Sequence, residues 1–230
     1  MNDLIRRLAA LDTCAVSDAL DAAGIPGATT GLHAVSGNRR IAGAVITVDL
    51  VSADLVPAGS ADAAPDARPR HLGTAAVDAA GPGTVIVVAH HGRTKVAGWG
   101  GVLSAGARQR GVEAVIVDGA VRDLDEARSF GLDLYARTSV PVTARGRIVE
   151  RGWNVPVTVE GIDIAPGDLV IADASGVVFI PAGRAAEIIG AAERIVAKEA
   201  KMLRRVRAGE SMASVMGADY ESMLESSVRP

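Results

Sequence analysis

Two runs constrain this chain more than anything else in it: TVIVVAH (84–90) and VEAVIVDG (112–119). Each is short, rich in β-branched residues, and apolar at consecutive rather than alternate positions. That is the pattern of a strand buried on both faces. Between them the spacing predicts a tight turn at 98–101 and a helix over 102–110 that stops at Gly111. A second helix over 123–129 and a strand over 132–137 follow. Strand, helix, strand, helix, strand with short links implies a parallel α/β layer.

The rest of the chain reads around that centre. Residues 2–11 carry Leu4, Ile5, Leu8 and Leu11 at helical spacing. Thr13 is placed to cap a second helix over 15–23, which stops at Gly24. Residues 41–51 read as a strand, 53–70 as a surface loop rich in Ala, Pro, Asp and Gly, and 72–80 as a helix before the turn at 81–83. Short alternating segments fill 147–164, and 166–181 reads as two strands joined by a turn at 174–176. A helix over 182–208 closes the pattern, with Ala185, Ile188, Ile189, Ala192, Ile195, Val196 and Leu203 on one stripe. That stripe suits either its own core or a neighbouring subunit. With no internal repeat and no linker, 230 residues are expected to form one domain.

Apolar residues make up 49% of the chain and aromatics only 3%, so small branched side chains must fill the core. A net charge of −3 gives no basic footprint for nucleic acid. Lys198, Lys201, Arg204, Arg205 and Arg207 alternate with apolar residues and read as a solvated helix face. The single cysteine, Cys14, excludes an intramolecular disulfide and a multi-cysteine zinc site. No uncharged apolar run approaches the roughly 18 residues of a membrane span, and the polar N-terminus does not resemble a signal peptide. A cytoplasmic location is expected.

Chemistry concentrates at two points. Gly98-Trp99-Gly100-Gly101 opens a helix, whose first N–H groups and dipole favour an anion, although a tight turn needs glycine in any case. Arg122 and Asp123 leave the carboxyl end of a buried strand, where open α/β sheets bind ligands. Arginine can hold a carboxylate through paired N–H bonds, and aspartate is a donor for a hard cation such as Mg²⁺ or Mn²⁺. An equally simple reading has Asp123 capping the next helix and Arg122 pairing with a surface acid.

The run GWGGVLSAGARQRGVEAVIVDGAVRD (98–123), continued by LDEARSFGLDLYAR (124–137) and PGDLVIADASGVVFIP (166–181), resembles the RraA-like family. Thr13, Ser17, Asp18, Ala19 and Leu20 resemble its N-terminal motif, and twenty residues separate Gly101 from Arg122 as in the family. Members include 4-hydroxy-4-methyl-2-oxoglutarate aldolase, 4-carboxy-4-hydroxy-2-oxoadipate aldolase and a regulator of ribonuclease activity. The resemblance implies an α/β/α sandwich with a mostly parallel central sheet, a core over about 11–182 and a long C-terminal helix, assembled as a homotrimer or homohexamer. It implies a metal-dependent aldolase acting on a 2-oxo acid, with oxaloacetate decarboxylation as a related activity, or else a non-enzymatic regulator that binds a protein. Arg122 then contacts the pyruvyl group, Asp123 ligates Mg²⁺ or Mn²⁺, and Gly100, Gly101, Val102 and Leu103 form the substrate-carboxylate turn. Glu199 matches a residue that reaches a neighbouring subunit's site. The aldolases carry an acid where this chain has Gly101. His90, His91, Arg93 and Lys95 are candidates to replace it, and Arg145, Arg147 and Glu150 are candidates for a second acidic group of the substrate. An older link of the family to menaquinone methyl transfer finds no matching glycine-rich cofactor loop here.

Overall fold

A computed structural model describes residues 3–55 and 72–217. The helices are α1 (Asp3–Leu8), α2 (Thr13–Ala22), α3 (Thr74–Ala79), α4 (Gly101–Gln109), α5 (Leu124–Phe130), α6 (Ala185–Arg207) and α7 (Met212–Val215). The strands are β1 (His33–Ser36), β2 (Ile41–Ser52), β3 (Thr84–Trp99), β4 (Ala114–Val121), β5 (Asp133–Ser139), β6 (Ile148–Trp153), β7 (Val157–Val159), β8 (Ile162–Ile164), β9 (Leu169–Asp173) and β10 (Gly176–Ile180). Most of the predicted 53–70 loop lies outside the described residues; its start is a 3-10 turn, Ala53–Leu55. No helix of the described residues is long and apolar enough to cross a membrane.

The main sheet runs β1-β5-β4-β3-β2-β9-β10, with β6 also on β2. Its middle is parallel: β2 on β3, β3 on β4, and β4 on β5. Every residue of β4 is buried, as its unbroken apolar run requires. Antiparallel strands flank that middle, with β1 on β5 and the β9–β10 hairpin on β2. Residues 27–29 join the two ends: Thr29 N–H donates to Val177 O and Phe179 N–H to Gly27 O. The sheet is therefore curled nearly shut.

Alternation along each strand separates two cores. Val85, Val87, Ile116, Tyr135, Val170 and Phe179 point inward, capped by the β7–β8 hairpin. Ile86, Val88, Val115, Val117 and Leu134 point outward against α3, α4 and α5. Ile171, Val178 and Ile180 point outward against α1, α2 and α6. The expected helix–sheet–helix layering thus takes the form of two helical groups on the outer surface of one curled sheet.

Several local readings change. Asp12, not Thr13, caps α2: its side chain accepts from Ala15 N–H at 2.9 Å. Thr13 instead donates its N–H and hydroxyl to Asp173, at 3.0 and 2.7 Å. The stripe of α6 is buried in its own chain from Ala185 to Ile195, whereas Leu203, predicted on that stripe, is 54% exposed. Lys201, Arg204, Arg205 and Arg207 are exposed on the expected solvated face, and Lys198 is half-buried.

Burial pushes the Asp173 carboxyl up, but hydrogen bonds from Thr13 and Ser175 and the Arg40 charge overcome this and hold it below its ordinary value. A depressed folded-state value means stability that is present above 3.8 and lost as pH falls through the folded value. Asp173→Asn is expected to cost about 1.5–3 kcal/mol at neutral pH. The gap between the two proteins in urea unfolding should close as the solution becomes strongly acidic; a gap independent of pH would contradict the assignment.

Candidate active site

The carboxyl end of β4 delivers Arg122 and Asp123 beside the start of α4. Arg122 N–H donates to Trp99 O at 3.0 Å, so the end of β3 holds the backbone of this corner in place. Asp123 stands at the N-cap position of α5 in the left-handed region (φ 58°, ψ 43°), and its side chain makes no capping bond. Only a few per cent of non-glycine residues adopt such a φ, and aspartate is among those that tolerate it. Its carboxylate is turned toward α4 instead. Oδ2 accepts Gly101 N–H at 2.9 Å, and Arg122 Nε donates to Oδ1 and Oδ2 at 3.0 and 3.1 Å. The capping alternative for Asp123 and the surface-acid alternative for Arg122 therefore both fail. Both Nη groups of Arg122 are without a partner among the described residues.

The first turn of α4 completes the corner. Gly101 N–H is taken by Asp123, and Ser104 N–H bonds to Gly100 O. Among the described residues the N–H groups of Val102 and Leu103 have no acceptor, and Val102 is 90% exposed. First-turn N–H groups without intrahelical partners are suited to a carboxylate. Trp99, 2% exposed, braces the turn: Nε1 donates to Ser104 Oγ at 3.0 Å, and that hydroxyl donates to Gly100 O at 3.1 Å.

Glycine at 100 is a matter of space. A Cβ there would lie 2.9 Å from Asp123 Oδ2 and 3.1 Å from Arg122 Cγ. Gly100→Ala is expected to displace both side chains and lower activity about 100-fold, the usual cost of misplacing a reacting group by about 1 Å, while folding stability changes little. The check is kcat/KM of the variant beside its thermal melting curve; wild-type kinetics would show that the packing at 100 is irrelevant.

No hydrogen bond or ion pair among the described residues joins the other candidates to Arg122 or Asp123. β3 does not end at His90 as the sequence suggested. It continues to Trp99 through irregular pairings, Arg93 with Gly119, Ala97 with Ala120 and Trp99 with Val121. His90 is fully buried, and Nε2 bonds to Val96 O at 2.9 Å. Burial above all lowers its pKa and keeps the ring neutral. It cannot reach a ligand. His91 bonds through Nε2 to Asp49 Oδ1 at 2.8 Å, and Arg151 Nε donates to the other oxygen of Asp49 at 2.7 Å. No hydrogen bond or ion pair among the described residues joins His91 to Arg122 or Asp123. Arg93 Nη1 donates to the Leu50 and His90 carbonyls, and Lys95 is exposed. Glu150 accepts Gly73 N–H at 2.6 Å and so ties down the start of α3. Arg145 and Arg147 are exposed on the segment after β5, which passes this sheet end through Val140 N–H to Val121 O. Glu199 lies by Asp12 and Asp18; burial first, then those two charges, raises its pKa. Within one chain it belongs to the α2–α6 interface.

One residue was overlooked. Glu126, in the first turn of α5, leans over Gly101: an ideal Cβ on that glycine would lie 1.8 Å from Glu126 Oε2 and 3.2 Å from Asp123 Cβ. Its only sequence signal was its place three residues after Asp123. Among the described residues no group of three or more His, Cys, Asp or Glu side chains is arranged to hold a metal ion.

Comparison with known proteins gives the family. The family profile RraA-like, described as Aldolase/RraA, matches residues 13–179. The chain is 28% identical over 225 residues to a Halalkalibacterium halodurans protein named "Putative 4-hydroxy-4-methyl-2-oxoglutarate aldolase", covering 98% of this chain and 97% of that one. It is 26% identical over 214 residues to Protein DlpA of Legionella pneumophila, covering 92% of this chain but spanning only 33% of the length of DlpA. A solved structure of an uncharacterized Pseudomonas syringae protein superposes with a TM-score of 0.79 at 26% identity, covering 93% of this chain and 96% of that one. The matched segment contains both the α4 turn and the Arg122–Asp123 pair, and the chain belongs to the RraA-like, Aldolase/RraA family.

Proposed function

We propose that this protein is a divalent-cation-dependent carbon–carbon lyase that releases pyruvate from a 4-hydroxy-2-oxo acid. The observation that carries the reading is the pairing of Arg122 with Asp123 at the carboxyl end of β4, beside two unclaimed N–H groups of α4. A 2-oxo carboxylate fits that arrangement. Val102 and Leu103 N–H groups take the carboxylate, and the free Nη fork of Arg122 takes the 2-oxo oxygen. Mg²⁺ or Mn²⁺, held by Asp123, would supply Lewis acidity at the same oxygens.

The chemistry then follows from where charge develops. A base takes the proton of the 4-hydroxyl, the bond between carbons 3 and 4 breaks, and carbon 4 leaves as a carbonyl. The electron pair passes into the pyruvate enolate, whose oxygen faces Arg122, and a proton returned to carbon 3 gives pyruvate. A fixed guanidinium aimed at that oxygen lowers the barrier because it needs no reorganisation. Loss of CO₂ from oxaloacetate produces the same enolate, so decarboxylation is a natural second activity of the corner. On this reading the assembly is a trimer or a pair of trimers, and Glu199 serves a neighbour's site.

The test is pyruvate release with and without Mg²⁺. Activity is expected to vanish with EDTA, to return with Mg²⁺ or Mn²⁺, and to fall at least about 100-fold in Asp123→Ala. Turnover that survives both treatments would remove the cation from the account. The alternative, a protein-binding regulator, draws support from the absence of an acid at Gly101 and predicts no turnover at all.

A further inference from the structure

We infer that Glu126 is the second carboxylate of this corner, standing over Gly101 where a side chain from α4 would otherwise project. The inference rests on the lyase reading for its catalytic part and on geometry for its placement.

Nothing in the backbone calls for glycine at 101. It is the first residue of α4 and has no left-handed φ. Most side chains are accepted at the first helical position, and glycine is a poorer helix former than almost all of them. The space over it is occupied. The point where a Cβ would project is already filled by Glu126 Oε2 at 1.8 Å and Glu126 Cδ at 2.9 Å, with Asp123 Cβ at 3.2 Å. A carboxylate from α5 thus occupies the volume that a side chain from α4 would otherwise take.

No internal partner draws Glu126 there. Its carboxylate makes no hydrogen bond or ion pair among the described residues, and the side chain is exposed. An acid in the first turn of α5 is favoured by the helix dipole, but the dipole does not turn it toward α4. Two carboxylates gathered about one point repel each other. Arg122 offsets the charge on Asp123 through Nε, which leaves Glu126 uncompensated. A hard cation with its water shell, or the hydroxyl of a bound substrate, satisfies such a group. Glu126 therefore accepts a hydrogen bond from the water or hydroxyl lying beside Asp123 and adds its charge to the affinity of the corner for a cation.

The experiment uses the full chain and two readouts: Mn²⁺ affinity by calorimetry, and steady-state pyruvate release. Glu126→Ala should weaken Mn²⁺ binding about 10-fold and lower kcat about 100-fold, with KM little changed and the melting temperature unaltered. Gly101→Ala should move both readouts in the same direction, because its methyl group displaces an untouched Glu126. Adding Gly101→Asp to Glu126→Ala should restore most of both losses by supplying the acid from the other helix. Wild-type Mn²⁺ affinity in Glu126→Ala, or a double variant no better than Glu126→Ala, would overturn the inference. If the wild-type protein releases no pyruvate, the lyase reading fails, and the Mn²⁺ titrations still decide the place of Glu126.

Discussion

Replacing Arg122 with lysine is expected to lower kcat/KM for pyruvate release by about 100- to 1,000-fold, the usual consequence of losing a donor aimed at a developing oxyanion. The loss is larger than a conservative exchange suggests because the guanidinium has two tasks. Nε holds both oxygens of Asp123, while the Nη pair remains for the ligand. A lysine ammonium is a single point charge on a flexible stem, and it cannot span both partners in a fixed plane. Asp123 would keep its bond from Gly101 N–H but lose the contact that fixes its rotation. Mn²⁺ affinity should therefore change along with turnover. The pair is partly open to solvent, with side-chain exposures of 36% and 28%, so folding stability should shift by no more than about 1 kcal/mol. Kinetics near wild type in Arg122→Lys would mean that the fork is not used.

The largest effect on folding is expected at Trp99. Trp99→Ala should cost about 3–5 kcal/mol, because an almost fully buried indole is removed from the core beneath α3 and α4. Trp99→Phe should cost only about 0.5–1.5 kcal/mol, the worth of one hydrogen bond, with much of the packing kept. The comparison separates two roles. The ring fills space, whereas Nε1 fixes Ser104 Oγ, which in turn holds Gly100 O. Trp99→Phe should therefore impair activity more than its stability loss explains, through a looser turn at Gly100. Denaturant unfolding and kinetics on both variants test this. Equal stability losses would show that the indole hydrogen bond, not the packing, dominates.

Much of this architecture could be read from the chain. The apolar runs at 84–90 and 112–119 have one physical solution, a strand buried on both faces, and β3 and β4 occupy them. The α4 helix followed from the glycines, whereas its approach to Arg122 and Asp123 was what the family resemblance implied. What escaped notice depended on tertiary contacts. Polar residues after His90, together with Gly92 and Gly98, resemble a loop, yet β4 supplies partners that carry β3 on to Trp99. The left-handed φ of His91 and Gly92 marks the irregularity that lets the strand continue. β1 is four residues on β5, too short to show a period. Asp12 and Thr13 are adjacent residues of cap-forming types, and only the distant carboxylate of Asp173 decides which one caps. Glu126 was hidden for a related reason. In sequence it is one more acid on an exposed helix, and only the space over Gly101 connects it to Asp123.

The central claim is that Arg122 and Asp123 stabilise a pyruvate enolate with the help of a divalent cation. It can be tested without knowing the other half of the substrate. Pyruvate dissolved in D₂O with the protein and Mg²⁺ should exchange its methyl protons for deuterium, followed by proton NMR, because enolate formation and its reversal are the exchange reaction. The account predicts exchange that requires both protein and cation and is lost in Arg122→Lys and Asp123→Ala. Exchange by the wild-type protein no faster than in buffer with Mg²⁺ alone would contradict it.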